Sequence, residues 1–233
     1  MARFSFKEVA PCLFAILVDV LGFGLVAPLL IALFVSPETN VFAIHSSSLK
    51  YAALGVTLAI YPLFMFFGTS FIGDLSDIWG RKKTLALSMI GMAVGFLLMA
   101  VGVVIASFAL FIFGRILSGL VAASQSVALA VISDLSTPEN KAVHLSYIAM
   151  VQCVGFVLGP LIGGVLSESS LSIPFFGASF LGIIAFVWIV CGFKESFTKA
   201  AQKQFSFARI IRVFIEAYQN KSILHLCLAL LHK

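Results

Sequence analysis

The sequence predicts an all-α membrane protein: a bundle of six transmembrane helices, then a charged segment and the start of a seventh helix. Three observations predict it. Of the 233 residues, 61% are hydrophobic and 11% charged, against about 25% charged in a soluble domain. Residues 51–72 and 84–114 carry no charge, and each run is long enough for the ~20 residues a helix needs to cross a bilayer. The cations gather in the gaps between such runs, where membrane proteins keep them.

Residues 1–8 are a short basic lead with Arg3 and Lys7. The first span covers 9–35 and holds one charge, Asp19. Its apolar run is too long for a signal-peptide core and no small-residue cleavage site follows, so a retained helix is expected. Residues 36–50, with Pro37, Glu38, Asn40 and three serines, read as a loop. The second span is 51–72. From Thr84 to Ser133 the only charge is Arg115. That is too long for one crossing of a hydrocarbon core about 30 Å thick, so the chain turns near Ser107, giving spans at 84–105 and 108–132. Residues 133–142 form a polar loop with Asp134, Pro138, Glu139 and Lys141. The fifth span is 143–166, a turn holds Glu168, and the sixth is 173–193. Residues 1–193 thus make the bundle. Residues 194–221 are a charged central loop with an amphipathic portion at 205–218. Residues 222–233 open a seventh span but are too short to cross.

Of the 15 Lys and Arg, twelve fall in the lead, the 73–83 stretch, the 133–142 loop and the 194–221 segment. The opposite loops hold only Lys50. This bias puts the N-terminus and the central loop on the cytoplasmic side, and six spans return the chain to that side. The glycosylation sequon at Asn220 would then face the cytoplasm and is discarded.

Several function classes find no support. The cations form no basic polar face for nucleic acid. Cys12, Cys153, Cys191 and Cys227 lie in apolar runs without metal-ligand spacing and read as packing residues, with no disulfide or metal expected. His45, His144, His225 and His232 build no ligand set. No phosphate-binding loop, nucleophile elbow or zinc-protease motif occurs, so neither an ATP-driven pump nor an enzyme is indicated, and no cofactor is expected.

The densest charge cluster is Gly73-Asp74-Leu75-Ser76-Asp77-Ile78-Trp79-Gly80-Arg81-Lys82-Lys83. It is expected to be a tight polar turn between two spans, with Gly73 and Gly80 allowing tight backbone and close helix approach. Asp77 precedes Arg81 by four residues, the spacing at which side chains on one helix meet. The bland reading is a signal that fixes orientation. The sharper one is a gate whose charges re-pair between two conformations. Gly73, Leu75, Asp77, Gly80, Arg81 and Lys82 resemble motif A of the major facilitator superfamily, the loop between its second and third helices. Asp134 resembles the acidic partner of that loop, with Arg81 as its expected mate in the outward-facing state. Without the resemblance, Asp134 is equally a solvated loop charge.

A charge at mid-bilayer costs about 2.5–3.5 kcal/mol on insertion scales, and only Asp19 and Arg115 incur it. By helical rise, their levels differ by about 5 Å. They are expected to face one central cavity and to form or exchange an ion pair; a static structural pair is the alternative. Burial favours the neutral carboxyl and a nearby cation favours the carboxylate, so arginine movement would switch proton binding. Gln125 and Gln152 are candidate cavity residues, or else bonded between helices. In the fifth span, Gly155, Gly159 and Gly163 are spaced by four and share a face that lets helices approach closely. Pro160 removes a backbone donor, and Gly164 follows.

These stretches sharpen the resemblance. Asp19-Val-Leu-Gly22-Phe-Gly24-Leu-Val-Ala-Pro28 looks like the first helix of drug/proton antiporters of the tetracycline-efflux type. Gly114-Arg115-Ile-Leu-Ser-Gly119 looks like motif B, whose arginine is implicated in proton transfer. Gly155 to Gly164 resembles motif C, the antiporter motif of exporters. The resemblance covers residues 9–225 and implies export of a drug or small amphipathic molecule in exchange for protons, in a bacterial inner membrane. It also implies two six-helix halves with the substrate path between them. The three-helix repeats known in this superfamily are only faintly visible here. The chain supplies one half, so the lipid bilayer, a substrate, protons and either a missing C-terminal half or a second copy are the expected partners. A metabolite or sugar carrier of the same fold, or a half-protein that does not transport, are the rival readings.

Overall fold

A computed structural model describes residues 6–35, 41, 42 and 44–193. The 194–221 segment and the start of the seventh span lie outside the described residues. So do His225, His232 and Cys227. Seven α-helices follow one another: α1 Phe6–Phe34, α2 Ser47–Trp79, α3 Arg81–Val104, α4 Phe108–Val121, α5 Ser124–Leu135, α6 Lys141–Ser167 and α7 Ile173–Gly192. Among the described residues they make six helical spans long and apolar enough to cross a membrane, with α4 and α5 sharing one, Phe108–Leu135. The chain is an integral membrane protein. Helices are required because a bilayer offers no partner for unpaired backbone groups.

The expected turn at Ser107 is present. Ser107 caps α4, its hydroxyl accepting from the Leu110 amide at 3.4 Å, and Ala106 takes a positive φ of 54°.

Two expectations are corrected. The 73–83 stretch is helical on both sides of Gly80, which alone connects α2 to α3. At about 1.5 Å per residue α2 is about 50 Å long, well beyond a core of about 30 Å, so its polar last turns continue the helix past the hydrocarbon. Charge alone does not end a helix; Gly80 does, with φ 96° and ψ 157°, a region open essentially to glycine alone. Gly73 sits within α2, and a Cβ there would meet nothing within 4 Å, so it makes no close approach. The fourth span is the second correction. It is two helices, interrupted at Ala122 and Ala123.

Close backbone approach sets the packing. α1 lies against α6 and α7, α3 against α4 and α7, and α2 against α4. A Cβ on Gly68 of α2 would stand 2.2 Å from the Leu120 carbonyl oxygen. One on Gly95 of α3 would stand 2.9 Å from the Gly114 oxygen of α4. Between α3 and α7, Ser179 Oγ donates to the Ala93 carbonyl at 2.8 Å. Such small-residue contacts and interhelical hydrogen bonds replace the hydrophobic effect, which lipid does not supply between helices. Phe96, Phe111, Phe175 and Met99 fill the core. Phe66, Phe71, Val157 and Phe180 are exposed, as expected of helix faces covered by lipid or by other helices.

Candidate functional site

Asp19 is the one acid of the first span, and α1 carries it to a cavity of about 300 Å³. Its carboxylate accepts hydrogen bonds from the Ser124 hydroxyl and, at 3.5 Å, from the Tyr61 hydroxyl. Ser124 reaches it because the fourth span breaks. Ala122 and Ala123 turn the chain, the Ala123 amide donating to the Val121 carbonyl at 2.8 Å, and α5 restarts at Ser124. The positive end of the α5 dipole therefore opens beside an acid inside the membrane. Gln125 and Gln152 line the same cavity, with Phe23 and Phe156 supplying apolar wall. Broken helices at a mid-membrane site are a known way to present polar groups there.

Arg115 departs from expectation. It does not line the cavity and forms no ion pair with Asp19. It is 2% exposed, and its Cζ lies 4.7 Å from the centroid of the Tyr61 ring. Its Nε and Nη1 are buried without a hydrogen-bond partner. Helical rise gave the two charges nearly one level but could not place them around the bundle. Tyr61 touches both, its hydroxyl on Asp19 and its ring against Arg115.

At the expected cytoplasmic end, the structure brings Asp77, Arg81 and Asp134 together. Arg81 Nη1 lies 2.8 Å from Asp77 Oδ1, and its Nε lies 3.5 Å from Asp134 Oδ2. Nη1 also donates to Ser76 Oγ at 2.9 Å. Arg81 and Leu75 are buried, while Lys82 is half-buried. One arginine thus joins the end of α2 to the end of α5. A second link runs from α5 to α6, where Ser136 Oγ lies 2.8 Å from His144 Nδ1.

The glycine face of α6 packs on α1. A Cβ on Gly155 would stand 2.9 Å from Val20 Cβ, and one on Gly163 would stand 3.0 Å from Leu25 Cα. One on Gly159 would meet Gly24 Cα and the Leu21 carbonyl oxygen, each at 3.0 Å. Pro160 belongs to the same contact, its Cδ standing 3.1 Å from a Cβ built on Gly24. Gly164 does not: it is exposed, with nothing within 4 Å.

Sequence reasoning missed Tyr61, Ser124 and Ser76. The triplet Ser124-Gln125-Ser126 is a visible polar interruption of an apolar run. Tyr61 gives no signal, since a lone tyrosine in a span is ordinary. Cys12, Cys153 and Cys191 are free thiols.

Comparison with known proteins identifies the family. Residues 12–231 match the Major Facilitator Superfamily profile. The chain is 32% identical over 183 residues to the class B tetracycline resistance protein of Escherichia coli, covering 77% of this chain and 42% of that protein. It is 30% identical over 201 residues to the quinolone resistance protein NorA of Staphylococcus aureus, covering 84% of this chain and 48% of that one. Among solved structures, the human organic anion transporter MFSD10 (TETRAN) superposes with a TM-score of 0.72 at 22% identity, over 88% of this chain and 52% of that one. That likeness speaks for the fold alone. The chain therefore spans about half the length of the relatives it matches. The family is one of transporters rather than enzymes, and the chain belongs to the major facilitator superfamily.

Proposed function

We propose that this chain is the N-terminal half of a secondary exporter that moves a drug or small amphipathic molecule out of the cell in exchange for protons. The observation that carries this reading is Asp19. It is an acid in mid-span, on the wall of a mostly apolar cavity, held by two hydroxyls rather than by a cation. Its insertion costs about 2.5–3.5 kcal/mol. An acid kept at that cost is by default a functional group. The tetracycline and quinolone resistance relatives favour export, as does the glycine face of α6.

In this reading the roles divide by place. Asp19 takes up and releases the proton, and Arg115 tunes that exchange from behind Tyr61. Gln125 and Gln152 meet polar groups of the substrate, while Phe23 and Phe156 meet its apolar surface. Arg81, bound to Asp77 and Asp134, locks the cytoplasmic side when the cavity opens outward. The tight α1–α6 contact at Gly155, Gly159 and Gly163 is the packing hinge. The other wall of the path comes from a C-terminal half or a second copy. The protein sits in the bacterial inner membrane with its N-terminus in the cytoplasm, as its cations favour.

The test is drug accumulation in cells expressing this chain, beside the same chain carrying Asp19→Asn, each with and without a co-expressed C-terminal half of a tetracycline exporter. Lower accumulation that depends on Asp19 is expected in at least one combination. Lower accumulation that survives Asp19→Asn would sink the coupling role. A sugar or metabolite carrier of the same fold is the second reading, and the export-type glycine motif on α6 counts against it.

A further inference from the structure

Tyr61 is fixed from three directions. Its backbone is pressed to α4 at Gly119, where an added Cβ would stand 2.8 Å from the Tyr61 carbonyl oxygen. Its ring packs on Phe23, with centroids 5.4 Å apart. Its hydroxyl reaches Asp19. The residue is 5% exposed, so its position is built by packing. Beneath the ring lies Arg115, buried, with two N–H groups that find no acceptor. A buried charge left without a partner is costly, and pairing an acid with a base is one way to offset that cost. Asp19 and Arg115 do not pair, and Tyr61 touches both.

We propose that Tyr61 is a spacer that keeps Arg115 off Asp19, so that the acid is bonded only by groups indifferent to its protonation. The chemistry of the partners gives the reason. A serine or tyrosine hydroxyl both donates and accepts, whereas a guanidinium only donates. With Ser124 and Tyr61 as partners, the carboxylate accepts two hydrogen bonds and the carboxylic acid can donate one by a hydroxyl rotation. The proton passes between the Asp19 oxygen and water in the cavity; no other covalent bond changes, and one hydrogen bond reverses its direction. With Arg115 as direct partner, protonation would break a buried ion pair, and the acid would stay a carboxylate. Tyr61 is therefore a positioning residue for the exchange, and this rests on the coupling role proposed for Asp19.

The test is a double-mutant cycle on the purified chain in mixed micelles, read as the equilibrium constant for unfolding. Asp19→Asn and Arg115→Gln are made singly and together in three backgrounds: unaltered, Tyr61→Phe and Tyr61→Leu. Residues in contact or in one network couple by about twofold to 150-fold, and separated sites without shared partners by about twofold or less, so the cycle is read as the gain in coupling between backgrounds. Weak coupling is expected in the unaltered and Tyr61→Phe backgrounds, since both keep the ring. Strong coupling is expected with Tyr61→Leu, where the charges meet. Tenfold coupling in the unaltered chain, or none gained with Tyr61→Leu, overturns the proposal. If Tyr61→Leu does not fold, Tyr61→Val removes the ring in its place and is read the same way, while strong coupling in the unaltered or Tyr61→Phe background refutes the spacer. The cycle reads contact between charges and not flux. Failed export with the expected cycle would count against the proposed function and leave the role of Tyr61 standing.

Discussion

Gly159 and Gly164 stand five residues apart on α6, and the same change should stabilise at Gly164 but not at Gly159. Gly164→Ala places a methyl in open space and gains about 1 kcal/mol of helix propensity. Gly159→Ala gains the same but puts its methyl 3.0 Å from Gly24 Cα and 3.0 Å from the Leu21 oxygen. Carbon atoms pack at about 3.5–4.0 Å, so α1 and α6 must part by about 0.5–1 Å to admit it. The atoms in the way are backbone, which cannot rotate aside. Overpacking of this kind costs about 1–3 kcal/mol. Because the two substitutions are chemically identical, the unfolded state cancels, and Gly159→Ala should be less stable than Gly164→Ala by about 1–3 kcal/mol. Equilibrium unfolding of the two purified variants in mixed micelles measures it. Equal stabilities within about 0.5 kcal/mol, the usual additivity error, would refute the packing of α6 on α1 described here.

Gly80→Ala should cost about 1–3 kcal/mol, because φ 96° and ψ 157° suit only glycine; the same unfolding measurement reads it, and no loss would mean that the α2–α3 connection is misdescribed. Arg81→Ala should cost about 1–3 kcal/mol through lost charged hydrogen bonds to Ser76 and Asp77. Asp134→Asn, removing an exposed and longer pairing, should cost less than about 1 kcal/mol. A larger loss for Asp134→Asn than for Arg81→Ala would reverse the described order of these contacts. Ser124→Ala removes one of the two donors to Asp19 and should cost about 0.5–3 kcal/mol, the range for hydrogen bonds to a neutral or a charged partner. That loss should vanish in an Asp19→Ala, Ser124→Ala double variant compared with Asp19→Ala alone, since alanine offers no acceptor; full additivity would deny the contact.

The span count was legible because hydrophobic length is a strong signal in a membrane protein: one turn had to fall within 84–132, and it falls at Ser107. Helix ends were less legible. Asp74 and Asp77 looked like loop residues, yet a helix can run on into water, and only Gly80 could end it. The break in the fourth span was hidden because Ala122 and Ala123 are good helix formers; the turn there is a tertiary arrangement that brings Ser124 to Asp19. The glycines at 155, 159 and 163 could be placed on one face by their spacing. Gly164 belongs to the motif by sequence but lies off that face. The relation of Asp19 to Arg115 was half legible: rise per residue gives depth, whereas rotation about the bundle depends on packing. Tyr61 was invisible for the same reason, its contacts coming from α1 and α4.

The claim on which the rest depends is that Asp19 exchanges a proton for the exported molecule. Proton release on adding tetracycline to the purified chain in weakly buffered micelles tests it most directly, with the Asp19→Asn chain alongside. Release from the unaltered chain and none from Asp19→Asn is the expected result. Equal release from both would contradict it.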